Sequence, residues 1–132
     1  VREIKFKFWD TKNKTMHKNG CPYLAIDSSG NVSELIHHEA FLEWAGTVHT
    51  EHVIPLQYTG IKDKNGKEIY EGDVVLYDDY VGLTGVVYYD EAETSYIIKP
   101  MQNGDYEVLG LTCHVRVLGN IFENPELLEV AE

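Results

Sequence analysis

The sequence predicts a mainly β protein: an N-terminal antiparallel β region over residues 1–54, a small C-terminal barrel over residues 55–132, and at most one or two short helices. Two observations predict this. Short runs rich in β-branched and aromatic residues recur along the chain, among them VIPLQY, DVVLY, GVVYY, SYIIKP, YEVLGL and VRVLGNIF, separated by Gly, Asp and Asn. The spacing suits a small barrel or sandwich and leaves little room for βαβ units. The 132-residue length fits one domain or two small packed lobes, and it can bury a core without disulfide or metal support.

The opening IKFKFW alternates, with Ile4, Phe6 and Phe8 on one face and Lys5, Lys7 and Trp9 on the other, as a half-buried strand does. DTKNK supplies a turn, and Thr15 to His17 starts a return strand. CPYLAI, DSSGN and VSELI repeat strand, turn and strand. In IHHEAFLEWAG, Ile36, Ala40 and Trp44 recur every four residues and Gly46 offers a stop, so Ile36 to Gly46 reads as helix or loop. In KNGK, Asn65-Gly66 is the pair favoured where both central residues take positive φ, with Ile61 and Ile69 on the hairpin arms. In EGDVVLYDDYVGLTGVVYYD, Gly72-Asp73 enters a strand and Gly82 to Gly85 turns before Val86-Val87. This stretch resembles the opening of an SH3-like barrel and the KOW segment of ribosomal and transcription-factor barrels. In ENPELLEV, Asn124 is a helix cap, Pro125 the first helical residue and Glu126 a first-turn acid, so a short closing helical turn is expected.

Charge divides the chain. Residues 1–54 hold 6 Lys/Arg against 7 Asp/Glu, whereas residues 55–132 hold 5 against 15. Between Lys67 and Lys99 stand Glu68, Glu71, Asp73, Asp78, Asp79, Asp90, Glu91 and Glu93 and no base. Such a surface repels phosphate, so direct nucleic-acid binding by this half is disfavoured. KOW segments carry bases around their glycines; here Asp78, Asp79 and Asp90 stand nearby. Tyr77, Tyr80, Tyr88, Tyr89 and Tyr96 therefore read as core, sheet face or protein interface rather than as a base-stacking platform. The two cysteines, Cys21 and Cys113, are far apart and suit reduced thiols in a cytoplasm. No signal-peptide core or 18-residue apolar run occurs in these residues, so a cytoplasmic protein without a membrane role is expected.

Residue spacing rules out the familiar site motifs. Placing Gly66 at position 6 of a calcium loop puts Ile61 at position 1 and Gly72 at position 12, where oxygen donors are required, so that reading fails. No phosphate-binding G-x-x-x-x-G-K-[ST] occurs. His37-His38 and His49-Thr-Glu-His52 match no metal-ligand motif, and neither cysteine has zinc-site spacing to a second. There is no G-x-S-x-G, and abundant carboxylates such as Asp78-Asp79 and Asp90-Glu91 mark solvated strand ends. No catalytic, metal-binding or cofactor-binding residue is therefore expected.

IKFKFWDTKNKTM, LQYTGIKDKNGKEIYEGDVV and VLGNIFENPELLE together resemble the YopX family, small proteins encoded by phages and prophages of Gram-positive bacteria. Phe8 stands where an alanine is common, and residues Cys21 to His52 match no motif. The family positions are Trp9, Asp10, Tyr58, Gly60, Asp63, Gly66, Tyr70, Gly72, Asp73, Gly119, Asn120, Asn124 and Pro125, each with a folding rationale. The resemblance implies a β-rich N-terminal region, an SH3-like C-terminal part and homo-oligomeric assembly, and it carries over no enzymatic activity or cofactor. The functional expectation is a non-enzymatic accessory protein whose partners are itself and a phage or host protein. Alternatives are nucleic-acid association through the barrel or the basic Arg2, Lys5, Lys7, Lys12, Lys14 and Lys18, acidic mimicry of DNA, and an enzyme of unrecognised type.

Overall fold

A computed structural model describes residues 2–18, 24–38, 43–49, 51–78, 80–112 and 114–129. Its strands are β1 (Phe6–Asp10), β2 (Thr15–His17), β3 (Leu24–Ile26), β4 (Val32–His38), β5 (Glu43–His49) and β6 (Val53–Lys62). They continue with β7 (Glu68–Tyr70), β8 (Asp73–Asp78), β9 (Leu83–Asp90), β10 (Ser95–Pro100), β11 (Glu107–Val108) and β12 (Arg116–Asn120). Two 3-10 turns, Leu109–Leu111 and Pro125–Leu128, are the helical elements among the described residues, and the first corrects the β run expected over YEVLGL, where β11 covers Glu107–Val108 alone. The fold is mainly β, with curled antiparallel sheets that include a half-barrel. Two compact units divide the chain, one of Phe6–Leu56 and one of Val1–Lys5 with Gln57–Glu132.

In the unit Phe6–Leu56, β1 pairs antiparallel with β2, setting Phe8 opposite His17 and Asp10 opposite Thr15. Strands β3, β4 and β5 form a three-stranded antiparallel sheet. Among the described residues, Phe8, Val32 and Val53 make the core of this unit, with Phe6, Leu24 and Ile26 packed against them. Phe6 and Phe8 share a face, 6.5 Å apart. Ile4 precedes the strand and is exposed. The helix-or-loop expectation for Ile36 to Gly46 is corrected. Ile36 to His38 belong to β4 and Glu43 to Gly46 to β5, with Ile36 opposite Gly46. A spacing of four fits period two as well as a helical turn, and the antiparallel ladder between β4 and β5 decides. Residues 39–42, Cys21, Asp79 and Cys113 lie outside the described residues.

In the other unit, β11, β10, β9, β8 and β12 form a five-stranded antiparallel sheet in that order. Ile69, Val75, Val87 and Ile98 are fully buried, with Leu109 and Val115, beneath it. Gly85 departs from the turn expected for it: it lies inside β9, opposite Val75 and Pro100. A Cβ there would stand 2.7 Å from the Lys99 carbonyl oxygen and 2.6 Å from Ile98 Cγ2, so only glycine lets β9 and β10 approach.

The β6–β7 hairpin turns at Asp63–Gly66, where the Gly66 N–H donates to the Asp63 carbonyl at 3.0 Å. Gly66 has φ +84°, but Asn65 is not left-handed, which corrects the expected pair of positive-φ residues. The turn instead places Lys64-Asn65 at its centre and glycine after it, the three-residue loop with a bulge. Asp63 explains the preference. Its Oδ1 accepts from the Asn65 and Lys67 N–H groups at 2.9 Å each. Its Oδ2 accepts from Val117 in β12 at 3.0 Å.

At the end of the chain, Asn124 occupies the cap position, yet its side chain does not cap the turn. Its Oδ1 accepts instead from the Asn120 N–H at 3.2 Å, holding the exit of β12.

Candidate functional site

The thirteen family positions serve the fold where they are described. Trp9 and Asp10 are buried in the unit Phe6–Leu56. Asp10 accepts from the Lys12 and Asn13 N–H groups and from Asn13 Nδ2, and His52 Nε2 stands 3.8 Å away. Tyr58 and Tyr70 are buried against each other, ring centres 5.5 Å apart. Gly60 sits in the β6 segment where the register against β7 shifts, and the neighbouring Thr59 hydroxyl donates to the Ile69 carbonyl. Asp73 accepts from the Tyr70 N–H at 2.9 Å. Gly72, at φ +84°, faces Phe122, whose ring lies 2.7 Å from where a Cβ would be. Asn120 Oδ1 accepts from the Phe122 and Glu123 N–H groups, with Gly119 packed against Asn124 and Leu127. Pro125 opens the last 3-10 turn. None of the thirteen lines either of the clefts described next.

A cleft of about 300 Å³ is lined by Arg2, Gln57, Glu71, Tyr89 and Tyr96. Its position follows from period two. Fully buried Ile69, Val87 and Ile98 stand on β7, β9 and β10, and two residues along the chain from them come Glu71, Tyr89 and Tyr96. The apolar core face thus ends in a carboxylate and two phenols. Tyr89 and Tyr96 face each other across β9 and β10, edge to face at 5.2 Å.

The Gln57 N–H donates to Glu71 Oε1 at 2.9 Å, while the Glu71 N–H donates to the Gln57 carbonyl at 3.1 Å. Burial pushes the Glu71 carboxyl above its ordinary value against the opposing effect of the Gln57 bond. The Tyr96 phenol is also raised, by burial first and then by the Glu71 charge, with Arg2 acting the other way.

Arg2 reaches the cleft from an anchored arm. Lys5 Nζ bonds Glu68, pairs with Glu3 at 2.7 Å and lies 5.5 Å from the centre of the Tyr58 ring, and its carbonyl accepts from the Tyr58 N–H. Its carboxylate partners raise the Lys5 ammonium above its ordinary value. Chemically, the cleft can hold a cation against a carboxylate and aromatic faces. The sequence placed Tyr89 and Tyr96 among core, sheet-face or interface residues, Arg2 among the bases open to nucleic acid and Glu71 in the acidic run, but nothing in it joined these residues, or Gln57, into one site. The alternation Ile69–Glu71 was the available signal.

A second hollow of about 410 Å³ is lined by Ile97, Lys99, Pro100, Gly104, Asp105 and Tyr106. There the Tyr106 hydroxyl donates to Glu93 Oε1 at 2.6 Å, which raises its phenol. No three His, Cys, Asp or Glu side chains converge as metal ligands among the described residues. No helix among them is long and apolar enough to cross a membrane.

The family model described as YopX protein matches residues 5–129. The crystal structure of protein EF1440 from Enterococcus faecalis is similar at 26% identity and TM-score 0.58, over 98% of this chain and 100% of that one. The crystal structure of protein yopX from Bacillus subtilis is similar in fold at 21% identity and TM-score 0.61, over 95% and 98%. No curated protein matches the chain.

Proposed function

The chain belongs to the YopX family, and from that premise we propose that it is a phage or prophage accessory protein that acts without enzymatic activity, by binding another protein and itself. The observation that carries this reading is the set of solvent-exposed tyrosines on an acidic half. Tyr80 is wholly exposed, and Tyr88 and Tyr89 on β9 are nearly half exposed, in a segment with 15 acids and 5 bases. Exposed aromatics without interleaved bases suit a protein interface better than a phosphate backbone. The family positions support it too, since the described contacts of their side chains are turns, strand-end hydrogen bonds and core packing. Action in the bacterial cytoplasm goes with this reading.

The test is light scattering of the purified chain together with affinity capture from phage-infected cells. An oligomer, or a captured protein released by Tyr88→Ala or Tyr89→Ala, supports the reading. A monomer that captures nothing overturns it. Retardation of duplex DNA at low salt would instead favour the basic N-terminal residues as a nucleic-acid surface.

A further inference from the structure

We propose that the cleft of Glu71, Tyr89 and Tyr96 receives a basic side chain, arginine before lysine, from a partner segment. This rests on the protein-binding reading and adds to it the chemistry of the contact. Three observations converge. The first is the end of the core face. Two strands, β9 and β10, and the residue following β7 deliver two aromatic rings and a carboxylate to one hollow of about 300 Å³. Ring faces attract a guanidinium or ammonium group, and Arg stacks on them through its planar fork.

The second is the half-used carboxylate. Glu71 Oε1 accepts the Gln57 N–H, and among the described residues no ion pair holds Glu71. A partly buried carboxylate without a cation carries an unmet electrostatic demand that an incoming cation satisfies.

The third is the field. The half of the chain holding the cleft residues other than Arg2 has 15 acids against 5 bases, which draws cations in and repels anionic ligands such as nucleotides.

Arg2 is the counter-weight. It lines the same hollow from the arm anchored at Lys5 and is exposed, with no ion pair among the described residues. The chain's own guanidinium therefore competes with an incoming one. This gives the inference a sign that an anion site would reverse.

The experiment titrates the full isotopically labelled chain with an uncharged-terminus pentapeptide, Gly-Gly-Arg-Gly-Gly. Lys and citrulline versions are run alongside it, and inorganic phosphate serves as the anion probe. Amide shifts at Gln57, Glu71, Tyr89 and Tyr96 are the readout. A single side chain should bind with a Kd on the order of millimolar, Arg tighter than Lys and citrulline without saturation. Glu71→Gln keeps an acceptor for the Gln57 N–H and should weaken binding about fivefold or more. Tyr89→Ala, at an exposed position, should weaken it comparably, and Arg2→Gln should tighten it about twofold.

Equal binding of citrulline, indifference to Glu71→Gln, or phosphate binding that Arg2→Gln abolishes would each overturn the assignment. The two proposals fail separately. Arg-peptide binding in a chain that is monomeric and captures no protein leaves the cleft standing without the partner-binding reading. Self-association or partner capture unaffected by Glu71→Gln, with no peptide response, removes the cleft assignment alone.

Discussion

Asp10 in the unit Phe6–Leu56 and Asp63 in the other unit begin similar sequences, DTKN and DKNG, and both are buried. Their reach differs. Asp10 holds Lys12 and Asn13, two and three residues on, with His52 nearby. Asp63 closes its own turn with one oxygen and grips Val117, 54 residues away, with the other. The cores differ in parallel. Among the described residues, Ile69, Val75, Val87 and Ile98 are sealed from solvent, while Phe8, Val32 and Val53 keep slight exposure; half-buried side chains pack around both clusters. The same local turn chemistry is thus a local fastening in one unit and a long-range tie in the other. A tie between distant strands costs more to break than a loop closing on itself.

Core truncation should separate the units most. Ile98→Ala removes a fully buried side chain from a closely packed cluster and should cost about 4 kcal/mol in urea unfolding. Val32→Ala removes less volume from a slightly exposed position and should cost about 2 kcal/mol. Hydrogen exchange read separately in each unit assigns the loss. Equal losses would erase the contrast between the two cores.

The aspartates come next. Asp63→Ala leaves the Val117, Asn65 and Lys67 N–H groups without their acceptor and should cost about 3 kcal/mol. Asp10→Ala affects Lys12 and Asn13, which water reaches, and should cost about 1 kcal/mol. Amide exchange at Val117 should rise in Asp63→Ala alone. Unchanged protection there would mean that Asp63 does not hold β12.

The acid response has a defined sign. Backbone bonds led by Asn13 hold Asp10 below the ordinary carboxylate range. For Asp63, burial is the largest single influence and acts upward, but the Val117, Lys67 and Asn65 bonds together outweigh it and leave it lowered. A carboxyl lowered in the folded state adds stability that is complete above its unfolded value, 3.8. That stability is lost as pH falls through the folded value. The acid midpoint of unfolding should therefore move to higher pH in Asp63→Asn. A midpoint independent of this change would remove Asp63 from the acid response.

Glu71 has the opposite sign and the smallest effect. Its folded value is raised by burial, so its charge opposes folding at neutral pH, and this opposition fades as pH falls through the folded value toward 4.5. Glu71→Gln should be neutral or stabilising by less than about 1 kcal/mol, given solvent screening at a half-buried group. A clear destabilisation in thermal unfolding would mark Glu71 as a structural residue rather than one available to a partner.

How much the sequence showed depends on the range over which each signal acts. Alternation in FKFW and the β-branched run DVVLY lie in strands, because a two-residue period acts within a few positions. The 36–46 stretch misled because a spacing of four serves helix and strand alike. Asn65-Gly66 located the hairpin but not its turn type, since Asp63 organises the loop through bonds that no dipeptide preference contains. Gly85 read as a turn glycine because the approach of Lys99 is visible only once β9 and β10 pair.

By itself the sequence determined the mainly β class, the strands whose signal lies in a β-branched or alternating run, such as β1 and β8, the family and the acidic character of residues 55–132. These rest on composition and short-range periodicity, which the chain carries in any conformation. Only the tertiary structure decided that Asp63 reaches Val117 and that Glu71, Tyr89, Tyr96 and Arg2 line one hollow. Those residues come from separate segments, and strand pairing and packing of the core against them, not their neighbours in sequence, set the distances between them.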